Sequence, residues 1–414
     1  MKKIFILGLI SGLIGWSEIS GQTVKVDGEI RTRSEYRNGF QKPLPDSIHP
    51  TVVSALRTRL NFLYSSEKMS AKVTLQDSHV YGSTGVSSTG NTVGVYEAWG
   101  SYAFTPALSV VVGRQSLEYD DKRMFSASNW SNTGQAHDLA LLKYETKKFK
   151  AHLGTAYNNT SDDLSQSVYS VTSSYKYMTF AWVSRTFDDV NISGLWVNDG
   201  FQRGKTNDLL NELSIRNTVG ANLDIKSKNS PVSAYLTGYY QFGHDAVFNS
   251  LNAFLLAFKA KIVVFQPLVV TLGTDYYSGS KYTITSGKNH TFNKLYGVSH
   301  SFNGSMEYWK TLPTQGLVDL FGGLTYSPTK KFNLDGTFHA FSLAQAVSAT
   351  VTKKNIGQEI DLTANYIVSP AFTLQGGWSG YFSTYQMKVL KKVTGDNHFP
   401  NWAYLMLTFK PKFL

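Results

Sequence analysis

The stretch Val24-Lys25-Val26-Asp27-Gly28-Glu29-Ile30-Arg31-Thr32-Arg33-Ser34-Glu35-Tyr36-Arg37 alternates with a period of two. Lys25, Asp27, Glu29, Arg31, Arg33, Glu35 and Arg37 share one face, and Val24, Val26, Ile30 and Tyr36 share the other. Successive side chains of a strand point to opposite faces, so this segment reads as a strand with an apolar side and a wet, almost entirely charged side.

The pattern recurs to the end of the chain. Arg57, Arg59 and Asn61 oppose Leu56, Leu60, Phe62 and Tyr64; Glu212, Ser214, Arg216 and Thr218 oppose Leu213, Ile215 and Val219; Glu359, Asp361, Thr363 and Asn365 oppose Ile360, Leu362 and Tyr366. Connections between such runs alternate in length. Short ones, rich in Pro, Ser, Asp and Lys, fall at 65–68, 105–106, 146–148, 188–189, 266–267, 327–330 and 369–370. Long ones fall at 38–51, 79–92, 118–136, 159–175, 199–210, 277–315, 344–355 and 383–399. Short turns at one end and long loops at the other are the layout of an outer-membrane barrel, with periplasmic turns and extracellular loops. One strand with its connection takes about 22 residues, so a mature chain of about 390 residues makes about 18 strands, an even number as single-chain bacterial barrels require. The expected fold class is all-β, a transmembrane antiparallel β-barrel, and barrels of that size keep an aqueous lumen.

The opening MKKIFILGLISGLIGW is a short basic start followed by an apolar run too brief for a spanning helix. Residues 1–21 therefore read as a signal peptide and 22–414 as one barrel domain, placed in the outer membrane of a bacterial cell. The chain has no Cys, which excludes a thiol nucleophile and Cys-ligated zinc. No second stretch approaches a continuous apolar 20-mer, which excludes helical membrane spans. Aromatics are heavy, with 24 Tyr, 25 Phe and 8 Trp, and suit strands and membrane interfaces. The formal net charge of +11 points to an acidic partner, anionic lipid or an acidic solute, and export makes nucleic acid the poorest candidate.

Several segments go beyond barrel texture. Gly113-Arg114-Gln115 with Tyr119, Asp121 and Arg123, then Asn129-Trp130 and His137-Asp138, resemble a strand and loop of the alginate-export family. Phe292, Leu295-Tyr296-Gly297, His300, Phe302 and Gly304 resemble a second loop of that family, Gly357-Gln358-Glu359-Ile360-Asp361 a strand, and Asn198-Asp199-Gly200-Phe201-Gln202 a further piece. The resemblance implies an outer-membrane channel with an arginine-rich constriction; the best-known member exports the polyuronate alginate. It leaves solute and direction of flow open. The end at Phe413-Leu414 resembles substrates of the barrel-assembly machinery, the expected partner during insertion.

The expected lumen-lining, solute-binding residues are Arg31, Arg33, Arg57, Arg59, Arg114, Arg123, Arg185 and Arg216, with Glu359 and Asp361. A planar guanidinium grips a carboxylate through two parallel bonds, and a ladder of them would pass an anion from site to site. The plainer reading is that these arginines pair with Glu29, Glu35, Glu212, Glu359 and Asp361 across strands and brace the wall. At any single position, bracing is favoured.

No metal or cofactor site is expected. Asp120-Asp121, Asp162-Asp163 and Asp188-Asp189 read as solvated turns, because neighbours on a strand diverge and calcium wants six or more oxygens. The nine His are scattered without ligand spacing. Ser278-Gly279-Ser280-Lys281 matches S-x-x-K, a lone short pattern away from any strand-to-helix turn, so catalysis is not expected. Tyr64, Trp99, Tyr102, Trp182, Trp196, Tyr239, Tyr276, Tyr326, Trp378, Tyr381 and Trp402 read as interfacial girdles. The expected function is passive diffusion of hydrophilic, anionic solutes such as uronates or oligosaccharides. A weakly selective general porin is the alternative, and a barrel enzyme or an adhesin presenting the 277–315 loop is the alternative from another class.

Overall fold

The computed structural model describes residues 21–83, 93–165, 169, 171, 174–202, 213–298, 300–395 and 399–414. The leader expected at 1–21, apart from Gly21, lies outside the described residues, as does Glu212.

The strands are β1 (Thr23–Asn38), β2 (Thr51–Ser65), β3 (Met69–Val80), β4 (Gly94–Ala103), β5 (Leu108–Gln115), β6 (His137–Glu145), β7 (Phe149–Tyr157), β8 (Tyr177–Phe187), β9 (Val190–Gln202), β10 (Leu213–Lys226), β11 (Val232–His244), β12 (Ser250–Phe265), β13 (Leu268–Tyr277), β14 (Lys288–Asn289), β15 (Leu317–Thr329), β16 (Phe332–Ser342), β17 (Asn355–Ser369), β18 (Phe372–Ser383) and β19 (Asn401–Phe409). The two-residue β14 sits within a loop and pairs in parallel with β12. The other eighteen pair antiparallel with their chain neighbours, and β1 also pairs with β19, so the sheet closes into a barrel of the expected strand number.

Turns and loops alternate as expected, with two connections that the sequence reading passed over. Residues 227–231 join β10 to β11, and only 245–249 join β11 to β12 at the loop end. That second connection stays short because one side chain organises it: the Asp245 carboxylate accepts from the amides of Val247 (3.0 Å) and Asn249 (2.9 Å).

Lipid, rather than a core, sets the outer face. Ile30, Phe62, Leu256, Leu320 and Leu362 are all exposed there, whereas Arg31, Arg33 and Glu35, at the alternate positions of β1, are 5%, 6% and 2% exposed. Of the expected girdle, Tyr64, Tyr102, Trp196, Tyr276, Tyr326 and Trp378 have outward parity. Trp182, Tyr239, Tyr381 and Trp402 do not; they are buried inside, and Trp99 stands opposite lumen-facing Lys72. Strand parity overrides the interfacial preference of the ring.

The lumen is not open water throughout. The connections 116–136 and 278–316 fold inward and meet: Ser126 donates to the Tyr296 carbonyl (3.0 Å), Tyr296 to that of Met124 (3.0 Å) and Val298 to that of Lys122 (3.0 Å). These bonds, with the parallel bridge Phe125–Tyr296, make a septum across the barrel. Phe125, Tyr277, Phe292, Tyr308, Trp309, Phe341 and Tyr381 are buried around it, a hydrophobic core inside a channel.

Candidate functional site

The arginines of β1 and β2 face the lumen at the places the alternation gives, but they hold the septum rather than open water. Arg31 donates to the carbonyls of Asn129 (2.5 Å) and Ser131 (2.8 Å), and Arg33 to that of Trp130 (2.7 Å). Arg57 reaches the carbonyls of Asn129 and Ser131, both at 3.0 Å, and Arg59 the side-chain oxygen of Asn129 at 2.9 Å. Four guanidiniums thus gather the tip of one loop, whose carbonyls they satisfy. Bracing operates as well: Arg57 pairs with Glu29 (2.5 Å) and Arg33 with Glu35 (2.8 Å). The Arg33 guanidinium also lies 4.3 Å from the centre of the Trp130 ring, which stacks on His300 at 3.8 Å.

Arg123 is on the septum itself. It grips Asp275 of β13 through both terminal nitrogens at 2.7 Å and Asp121 through Nε at 2.7 Å, over the Phe302 ring at 4.0 Å. Burial pulls this guanidinium down, but Asp275, Tyr277 and Asp121 more than reverse that and hold it charged. Arg216 pairs with Asp199 (3.0 and 2.5 Å), and Asp199 accepts the Tyr296 hydroxyl at 2.6 Å.

Two expected lumen arginines lie elsewhere. Arg114 is on the outward face of β5, opposite Ala98 and Asp138, and pairs with exposed Asp138 at 2.8 Å. Arg185 is on the outward face of β8, opposite Phe149, with its guanidinium 4.9 Å over the Phe187 ring. Both shift by strand parity, which is invisible for a lone charge until the neighbouring residues are placed.

Glu359 and Asp361 lie on the inward face of β17, and both receive the septum. Glu359 accepts from the Met306 amide (2.7 Å) and Asp361 from the Ser305 amide (3.1 Å). The loop comes so close that a Cβ on Gly304, at φ +85°, would lie 2.5 Å from a Glu359 carboxylate oxygen.

Two half-buried lysines clasp the next residues. Lys294 donates to the Trp309 carbonyl (2.8 Å) and the Asn303 side chain (2.7 Å). Lys391, on the short helix α1 (Tyr385–Lys391), donates to the Tyr308 carbonyl at 2.5 Å. Burial pulls Lys294 down to about 7 and Lys391 to about 8. Sequence reading missed both, since a lysine in a long loop ordinarily signals solvent.

Cavities remain on either side of the septum. Toward the loops, about 500 Å³ lies beside Arg216, Asp245 and Lys310, and about 160 Å³ beside Arg37, Trp130 and His300. Toward the turns, about 330 Å³ lies under residues 300–305, bounded by Lys259, Lys261, Asp319, Asp335 and His339. Two smaller ones, of about 290 and 230 Å³, are lined by Lys147, Lys148, Lys150, Lys226, Lys259 and Lys261 with Asp120, Asp121 and Asp224. Burial pushes the Asp120 carboxyl up, although Ser193 (2.5 Å) and Trp182 (3.1 Å) donate to it.

The Ser278 hydroxyl donates to the His290 carbonyl (2.8 Å) and accepts from the Phe254 amide (2.8 Å), so it is a structural bracket. Among the described residues no group of three or more acidic or His side chains could hold a metal ion.

The barrel is similar to solved outer-membrane porins. It matches OccK11 (OpdR) of Pseudomonas aeruginosa with TM-score 0.61 at 10% identity, covering 94% of this chain and 96% of that one. It matches a BenF-like porin from Pseudomonas fluorescens Pf-5 with TM-score 0.64 at 11% identity (94% and 99%). It matches Acinetobacter baumannii OccAB1 with TM-score 0.63 at 13% identity (94% and 97%). Such identities speak for the fold. None of the curated proteins matches the sequence. A family model described as alginate export matches residues 20–383, nearly the whole chain. With a closed eighteen-strand barrel, a lipid-facing apolar surface and polar cavities on both sides of an inner septum, the protein is an outer-membrane channel that belongs to the alginate-export family.

Proposed function

We propose that this channel passes small hydrophilic solutes by diffusion and favours anions, uronates among them. The observation that carries the preference is the cation excess in the two smaller turn-side cavities. Lys147, Lys148, Lys150, Lys226, Lys259 and Lys261 outnumber Asp120, Asp121 and Asp224 there, and burial favours the uncharged form of Asp120. A charged wall in a low-dielectric passage concentrates the opposite ion. The cations lining these two cavities are lysines, while Arg31, Arg33, Arg57, Arg59 and Arg123 hold the septum. Cavities of 160–500 Å³ suit monomers and short oligomers better than a polymer.

The test is the reversal potential of the purified protein in a planar bilayer under a salt gradient, with and without added monouronate. Anion-selective current that the uronate interrupts and that Lys259→Met with Lys261→Met weakens supports this reading. Current without selectivity would return the protein to the general porins.

A further inference from the structure

We propose that the cavity of about 330 Å³ beneath the septum is a subsite for small zwitterions, solutes carrying an ammonium and a carboxylate a few bonds apart. This rests on the channel reading and names a chemical class that anion preference alone does not.

Charge in the cavity is separated rather than mixed. At one side Lys259 and Lys261 point inward from β12, and among the described residues neither has a carboxylate within ion-pairing distance. The Lys259 ammonium lies 5.7 Å from the centre of the Tyr235 ring. At the other side Asp335 of β16 accepts from the neutral Thr325 hydroxyl (2.7 Å) and the neutral Asn333 amide (2.5 Å), with no cation at ion-pairing distance among the described residues. The remaining charged groups lie on the acidic side of balance: Arg123 is shared by Asp275 and Asp121, and the single His339 imidazole faces both Asp319 (2.9 Å) and Asp361 (3.6 Å).

The spacing fits a short zwitterion. β13 and β15 lie between β12 and β16, so the two walls are three strand steps apart, about 14 Å along the sheet. Both side chains project into the lumen, across that separation rather than along it, so their charges stay on the order of 10 Å apart, room for a short zwitterion with an ion-pair contact at each end. The wall between them is low where it must be: Gly323 brings no side chain, and the Phe321 ring lies over Gly273, where a Cβ would come within 2.3 Å of it. Such a dipole attracts a monoanion at one end only, and a zwitterion at both.

Four related solutes separate the cases: glycylglycine, its N-acetyl derivative, its amide, and the doubly blocked neutral form. Each is added to the purified full-length protein in a bilayer at pH 6.5, where the free amine is charged. Apparent Kd values are read from interruptions of the ionic current. The expected order puts glycylglycine about threefold tighter than either single ion, the worth of one further solvated ion pair. Asp335→Asn should bring glycylglycine to the level of the N-acetyl form and leave the N-acetyl form unchanged. Lys259→Met with Lys261→Met should weaken both. Equal interruption by all four solutes, or a preference that survives Asp335→Asn, overturns the subsite while leaving the channel in place. Absence of any current overturns the channel reading beneath it.

Discussion

An inward guanidinium is valuable in this barrel for what it holds. Arg123 and Asp275 are 5% and 1% exposed at the side chain, so removing one partner strands a buried charge, at a cost of about 3–5 kcal/mol. Arg123→Ala is therefore expected to release the septum and raise single-channel conductance. Arg123→Lys should restore little, because an ammonium cannot reproduce the two-pronged grip. Arg114→Ala and Arg185→Ala, on the outer face, should leave the reversal potential where it was; a shift would contradict their outward placement. Lys294 gives a pH dependence whose sign follows from burial. Its ammonium titrates near 7 when clasped and near 10.4 when the loop is released. The released state then binds more protons between those limits, so septum docking strengthens as pH rises from 7 to about 10 and is weakest below 7. Large-conductance openings should accordingly become rarer over that range, and Lys294→Met should abolish the trend.

At the scale of elements, each strand is a two-faced object made by period-two alternation, and each long loop is an object whose partners lie far away in sequence. The septum is two such loops joined by three backbone bonds and pinned from β1, β2, β13, β17 and α1. Gly304 is where the pinning is closest. Gly304→Ala places a methyl against Glu359 and at a positive φ, so the segment 303–307 should detach from β17 while the barrel stays closed. The check is faster proteolysis within 294–310, together with unchanged heat-modifiable migration of the barrel.

For the whole molecule, selectivity is a property of the summed field and must respond to salt. At 0.1 M the Debye length is about 10 Å and at 1 M about 3 Å, so anion preference should fall steeply between those concentrations. A selectivity independent of salt would point to contact sites alone. Much of this protein was legible in its sequence. The alternation from Val24 to Arg37, repeated at Arg57–Tyr64 and Glu359–Tyr366, determined the barrel, its lipid face and the inward placement of Arg31, Arg33, Arg57, Arg59, Arg216, Glu359 and Asp361. Alternation is a local signal, dictated by the pleat of each strand, and it survives whatever the loops do. Tertiary structure alone decided that those arginines clasp a septum, that Lys294 clasps the Trp309 carbonyl, that Arg114 and Arg185 face outward, and that Lys259 and Asp335 share one cavity. Loop docking joins residues about a hundred or more positions apart, such as Arg31 with Ser131 and Arg123 with Asp275, and no periodicity encodes which distant groups will meet.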